Sequence, residues 1–341
     1  MNRDMDSRII PKVELHCHLE ACFQPHTVKD IGRTLGLDVP EDPERFRREW
    51  LITEPVSDLE TALKKFANIQ KLWGSQETIE RLTYEACEYG VAQNIRILEL
   101  RYSPDFIRGA NSGLSFEMIH EAIVRGVARA GRLDIAVGLI GIVQKILSLE
   151  EAACTTDFII ANKEAFVGID MADMDIGFGI RRFAPLMLKA KKAGLHVTLH
   201  SGEENVPDAP QHVRVAVEEL GAERIGHGIY IINDPGVMEI VKREQVMLEL
   251  CPTSNLLTNS VPSIRLHPLR RLMEAGVMVS INSDDPHLFG IDLCHEYDIL
   301  HSELDLTMED FDRINDDAAA CSFLPFEEKQ RVWPRKIERL L

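Results

Sequence analysis

The stretch Pro11-Lys12-Val13-Glu14-Leu15-His16-Cys17-His18-Leu19-Glu20 reads as a β-strand carrying two histidines at its C-terminal end. Side chains alternate between the two faces of a strand, so His16 and His18 share one face and Val13 and Leu15 are expected on the other. Two imidazoles on one face make half of a metal site. A His-x-His pair is weak evidence alone, because histidine serves structure as readily as ligation. The rest of the chain gives it weight. Leu195-His196-Val197-Thr198-Leu199 runs into His200-Ser201-Gly202-Glu203, Glu223-Arg224-Ile225-Gly226 into His227-Gly228, and Val277-Met278-Val279-Ser280-Ile281-Asn282-Ser283 into Asp284-Asp285. Reactive groups of parallel α/β folds gather at the C-terminal ends of strands, so these clusters point to one site.

Outward from these points the chain alternates. Strand-like runs fall at 13–18, 95–101, 134–141, 166–170, 195–200, 224–227, 246–250 and 277–282. Helical patterns occupy 59–73, 76–92, 115–131, 150–162, 181–193, 210–220, 234–243 and 268–275. This alternation predicts an α/β fold, a parallel (β/α)8 TIM-type barrel formed as one domain by residues 1–341. A helical insertion, about 20–94, follows the first strand. Its apolar stripe of Leu59, Leu63, Phe66, Ile69 and Leu72 suits either packing on the barrel or a lid over its mouth. Residues after Asp285 read as helices beside or beneath the barrel.

Composition narrows the function classes. With 341 residues, 45% of them hydrophobic, the chain can bury a large core. A net charge of −17 argues against a nucleic-acid partner, since phosphate binding needs Lys and Arg patches. Seven cysteines without zinc-finger spacing give no complete disulfide framework and fit a reducing cytoplasm. No apolar run approaches a membrane span, and Met1 to Ile10 does not read as a secretory signal.

His16, His18 and His200 offer neutral nitrogens and Asp284 a carboxylate oxygen, a set that suits one Zn2+ with an open position for water. Such water is acidified to a pKa of about 7, which supplies a nucleophile at neutral pH. Glu203, three residues after His200, is placed to carry a proton, and His227 and Asp285 to orient the attacking oxygen. Each has an ordinary alternative. His227 can simply end a strand, Asp284-Asp285-Pro286 can cap a helix, and Glu203-Glu204 can be a solvated charge pair. Cys251-Pro252-Thr253-Ser254-Asn255 reads as a structural loop leading into a helix. Arg101-Tyr102-Ser103-Pro104 and His267 stay open between positioning and surface roles.

Taken in order, the motifs resemble the adenosine deaminase family of the amidohydrolase superfamily. They are Pro11 to Leu19, Glu99-Leu100-Arg101-Tyr102-Ser103-Pro104, His200-Ser201-Gly202-Glu203, Gly226-His227-Gly228, Cys251 to Asn255, and Ser280-Ile281-Asn282-Ser283-Asp284-Asp285-Pro286. The resemblance implies zinc on His16, His18, His200 and Asp284, a Glu203 that protonates purine N1, and a hydroxide held by His227 and Asp285 that attacks C6 and expels ammonia. It implies substrate contacts from His18, Glu20, Asp173 and Asp285. The Pro-Cys-x-x-Cys pair of cytidine-type zinc deaminases is absent. Two positions depart from the nucleoside enzymes: Glu20-Ala21 stands where they carry Asp-Gly, and Asp173 where they carry Gly. Both changes resemble the adenine deaminases of the same family. The expected substrate is adenosine or deoxyadenosine, with adenine or a modified adenine nucleoside as the alternative. A binding barrel without catalysis is disfavoured by the full set of polar groups, and the sequence leaves the oligomeric state open.

Overall fold

In the computed structural model, residues 5–56, 59–173 and 179–338 are described, those at 59–63 by backbone alone. Eight parallel strands follow one another in chain order: β1 (Lys12–His18), β2 (Ile95–Tyr102), β3 (Ala136–Gln144), β4 (Gly168–Ala172), β5 (His196–Ser201), β6 (Arg224–His227), β7 (Met247–Leu250) and β8 (Val279–Ile281). Each run expected from sequence overlaps one, with β1, β2 and β5 exceeding it by one residue and β3 and β4 extending two to three residues further along. The ring closes where the chain beyond β8 meets β1. Asp284 N–H donates to the His16 carbonyl (3.0 Å) and His18 N–H to the Asp284 carbonyl (2.8 Å). Closure therefore sets Asp284 beside the His-x-His pair. The (β/α)8 barrel is the observed architecture.

The expected alternation along β1 fails in an instructive way. Pairing with β2 slips between Glu14 and Cys17, so that Leu15 and His16 both stand opposite Glu99. Val13 and Leu15 consequently do not lie on a face away from the site; they join an apolar cluster with Ile97, Met247, Ala318, Leu324 and Trp333. Ile97 shares its face of β2 with Glu99 and Arg101, whose partners lie across the barrel on β4, β6 and β7. This cluster forms the apolar floor beneath the polar interior.

The helices after Asp285 supply the rest of that floor. Helix Met308–Cys321 packs on β1 and β8, and helix Phe326–Val332 on β2 and β3. Asn315 ties the first of these in place. Its Oδ1 accepts from Val13 N–H (3.0 Å) and Tyr297 O–H (2.8 Å), all buried.

Between β1 and β2 the chain is helical among the described residues, as the insertion at about 20–94 leads one to expect. Helix Gln76–Ala92, opened by a capping box between Ser75 and Thr78, packs on β2 and on helix Phe116–Ala130, the position of the ordinary β1–β2 crossover. The extra material is the short helical turn Leu19–Ala21 and helices Pro25–Leu35, Pro43–Trp50 and Leu59–Leu72. On the last, Ile69 and Leu72 are buried in the main core and Phe66 packs half-buried against it, which is the packing account of the stripe. The side chains of Leu59 and Leu63 lie outside the described residues.

Removing the Asn315 side chain strands two buried donors. Asn315→Ala should lower stability by about 2–4 kcal/mol. Urea unfolding should show a lower midpoint at unchanged slope.

Candidate metal centre and active site

Three strand ends converge on one point. The ligand atoms of His16, His18, His200 and Asp284 all lie within 4.8 Å of one another. Asp284 Oδ1 is 3.3 Å from both His16 Nε2 and His18 Nε2, and the Nε2 atoms of His18 and His200 are 3.1 Å apart. Tetrahedral zinc with bonds of about 2.0–2.1 Å separates its ligands by about 3.3 Å, so these spacings fit the ion. Proton assignments agree. His16 Nδ1 donates to Glu249 Oε2 (2.7 Å), leaving Nε2 as a lone pair with no hydrogen-bond partner, aimed at a carboxylate. Two acceptors facing each other in a buried interior suit a cation between them. A second grouping exchanges His18 and His200 for His227 and Cys251. Burial pushes the Cys251 thiol well above its ordinary value, so it is the poorer ligand set.

Gly226 shows how tightly this point is packed, because a Cβ there would stand 2.8 Å from the His16 ring. Asp284 and His227 both have φ 61, and Asp173 has φ 84. Left-handed backbone in non-glycine residues persists only where the surroundings enforce it, and it collects at functional sites.

Beneath the ligands runs a fully buried ionic network. Arg101 donates to Asp170 (2.7 Å), Glu249 (2.6 Å) and the Leu15 carbonyl (2.7 Å). Arg224 donates to Glu99 (2.5 Å) and Glu249 (2.7 Å). Glu249 orients His16, and Asp170 lies 3.0 Å from His200 Nδ1, so each carboxylate presents the opposite ring nitrogen to the centre. Burial alone would raise Glu249, but Arg101 and Arg224 hold it well below the ordinary carboxylate range. Asp170 is lowered against the same burial by His200 and Arg101.

The expected proton-handling groups stand beside the cluster. Glu203 Oε2 is 3.4 Å from His227 Nε2, and Glu203 Oε1 accepts from Thr258 O–H (3.2 Å). Burial, reinforced by the charge of Asp284, pushes the Glu203 carboxyl up to about 7. Asp285 occupies the N-cap position of helix Pro286–Phe289, yet its side chain makes no capping bond. Burial and the adjacent Asp284 push it up to about 8, and a divalent cation on Asp284 would relieve the second cause.

His267, open at the level of sequence, has a defined place. Leu269 N–H donates to His267 Nδ1 (3.2 Å), so the ring proton sits on Nε2 and goes to Asn255 Oδ1 (3.1 Å). The Asn255 amide then donates to His227 Nδ1 (3.2 Å). Neutral His227 must carry its proton on Nε2, facing the site. A backbone amide thus fixes a tautomer three residues away along a hydrogen-bonded chain.

Of the expected substrate contacts, His18 lies in the cluster and Glu20 borders it. Ser103 N–H donates to Glu20 Oε1 (2.7 Å), whereas Oε2 is buried without a partner. Burial pushes this carboxyl up to about 7. Asp173 is exposed at the end of β4, held through its carbonyl by Lys145 (2.8 Å). Sequence reading missed Asp170, Glu249 and Arg224 as supports. Their signal was present as a charge inside an apolar strand, as in Ile169-Asp170-Met171 and Leu248-Glu249-Leu250.

Glu249→Gln removes the carboxylate shared by Arg101, Arg224 and His16. It should cost about 3–5 kcal/mol of stability and weaken metal retention about 10–100-fold. Unfolding curves and chelator competition read the two effects separately.

Comparison with known proteins identifies the family. The sequence profile of the adenosine deaminase family matches residues 11–338. Adenosine deaminase of Serratia proteamaculans is 33% identical over 332 residues, covering 96% of this chain and 98% of the relative. Among solved structures, an adenine deaminase from Arthrobacter aurescens superposes with a TM-score of 0.85 at 26% identity, over 94% of this chain and 96% of that one. The N6-methyl-AMP deaminase of Arabidopsis thaliana gives 0.81 at 27% identity, over 95% of each chain. By its sequence over nearly its whole length, this chain belongs to the adenosine deaminase family.

Proposed function

We propose that the chain hydrolyses the 6-amino group of adenosine or deoxyadenosine, giving the 6-oxopurine nucleoside and ammonia. The observation that carries this reading is the unpartnered His16 Nε2 facing Asp284, inside a three-histidine, one-carboxylate set flanked by Glu203, His227 and Asp285. Zinc held by His16, His18, His200 and Asp284 would supply Lewis-acid activation of water at neutral pH. Glu203, kept protonated near neutrality by burial, gives its proton to ring nitrogen N1 and makes C6 electrophilic. His227, with its proton on Nε2, donates to the attacking oxygen and fixes its direction. Asp285 accepts that oxygen's proton, which passes to the departing amine as the C6–N bond breaks. The oxygen's second proton returns to Glu203 as the C6 carbonyl forms, so that one water enters, one ammonia leaves and both carboxyl groups are restored.

The family membership and the relatives' activities support a hydrolytic deaminase acting on a 6-aminopurine. Two residues favour keeping adenine, or a modified adenine nucleoside, as a second reading. Glu20 presents a buried acceptor oxygen without a partner, which suits a ring N–H as well as a ribose hydroxyl. Asp173 adds an acidic side chain at a left-handed position where the nucleoside enzymes carry glycine. The acidic surroundings and the net charge of −17 fit a small uncharged substrate better than nucleic acid. No helix among the described residues is long and apolar enough to cross a membrane. A cytoplasmic setting belongs to this reading on the cysteine usage above.

Ultraviolet assays across adenosine, deoxyadenosine, adenine and N6-modified adenosines test the reaction and rank the substrates. Glu203→Gln should keep its metal and lose at least about 10²-fold in kcat. His200→Ala should lose metal and turnover together. A Glu203→Gln enzyme of near-native kcat would rule out the proton-carrier role.

Glu20→Gln separates the two substrate readings. Loss of the carboxylate should fall mainly on the substrate whose donor it accepts, by as much as about 10⁴ in relative kcat/KM. A selective loss on adenosine supports contact with ribose, and a selective loss on adenine supports contact with the ring N–H.

A further inference from the structure

The two residues that depart from the nucleoside pattern are joined by hydrogen bonds running along the mouth of the barrel. Glu20 follows β1, Ser103 follows β2, Gln144 ends β3, and Asp173 follows β4. Ser103 N–H donates to Glu20 Oε1 (2.7 Å). Ser103 Oγ accepts from Phe106 N–H (3.1 Å), so its own proton goes to Gln144 Oε1 (3.2 Å). With its carbonyl so occupied, the Gln144 amide donates to Asp173 Oδ2 (3.4 Å). The chain continues through main chain. Lys145, buried, donates to the carbonyls of Asp173 (2.8 Å) and His200 (2.7 Å). Ser103 thus donates toward Glu20 on one side and toward Gln144 on the other, and the occupied Gln144 carbonyl turns its amide to Asp173.

The arc also has a definite place relative to the chemistry. Glu203, His227 and Asp285 follow β5, end β6 and follow β8. A substrate with its reacting carbon among them must extend the rest of its body toward the ends of β1 to β4, where the arc lies and where Glu20 Oε2 stands buried without a partner. We propose that Gln144 is a positioning residue that couples Glu20 to Asp173, so that the two carboxylates act as one specificity element toward the part of the substrate remote from its reacting carbon. This rests on the 6-aminopurine reading above. Adenine and adenosine differ only in that remote part, as do their products hypoxanthine and inosine.

The test uses the metal-loaded enzyme and the two products as equilibrium probes, so that coupling is read without turnover. Dissociation constants for inosine and hypoxanthine are measured for the wild type, Gln144→Leu, Glu20→Gln and the double variant, with bound metal and melting temperature alongside. Gln144→Leu should change the inosine-to-hypoxanthine ratio at least about fivefold at unchanged metal content. The double variant should be no worse than the more damaging single change. A second pair guards against a merely structural effect. Gln144→Glu keeps the acceptor for Ser103 but sets a carboxylate against Asp173, and adding Asp173→Asn restores a donor across that contact. The ratio should shift in Gln144→Glu and return in the pair with Asp173→Asn. Independent, multiplicative effects in the first double variant, or no recovery in the second, would overturn the proposal. Wild-type enzyme that deaminates no 6-aminopurine would overturn the functional reading instead, while the binding ratios still decide the coupling.

Discussion

Everything at this site leans on the carboxylate of Glu249. It is buried in the middle of the barrel, and it binds Arg101, Arg224, Thr198 and His16 at once. Burying an ion is costly, and only a nearly complete set of partners offsets the desolvation. Here the compensation is mutual. Arg101 and Arg224 need Glu249 as much as it needs them, and Glu99 and Asp170 complete the set from opposite sides. The network spans β2, β4, β6 and β7 and leaves His16 and His200 each with one ring nitrogen committed to a carboxylate and the other facing the cluster. Ring orientation at the mouth is thus settled by charge balance in the interior.

Backbone closure supplies the other half of the geometry. Asp284 reaches His16 and His18 because the same residues exchange main-chain hydrogen bonds that close the barrel. A ligand on a loop would need its own ordering entropy; one on the closing seam is ordered by folding itself. The left-handed backbone at Asp284 and His227 is held by that seam and by the tight packing around Gly226. Strain here is the result of strands turning their last side chains inward over a small, crowded point.

The parts legible in the sequence were those with a local signature. Alternating β-branched runs and helical stripes revealed eight βα units, and ionisable residues at run ends revealed His16, His18, His200, Glu203, His227, Asp284 and Asp285. Asp170, Glu249 and Arg224 escaped because their meaning is relational: a charge in an apolar strand becomes sensible only beside its partner strands, which lie across the barrel. His267 escaped for a similar reason, since its role depends on Asn255 and on a backbone amide. The phase of β1 was misread because strict alternation leaves no room for a bulge, and nothing in Val13-Glu14-Leu15-His16 marks one.

That bulge has a consequence for how the molecule tolerates change. In a regular strand an apolar floor residue and a ligand on the same face are separated by an outward-facing residue, which acts as a spacer. In β1 Leu15 touches the floor and His16 reaches the ligand cluster with no spacer between them. Thermal motion or volume changes in the floor are therefore delivered to a ligand through one peptide unit, the shortest lever the chain can make. At β1 the apolar floor and the candidate ligand cluster are thus adjacent residues of one chain, so a volume change at Leu15 bears on His16 more directly than it would across a regular alternation.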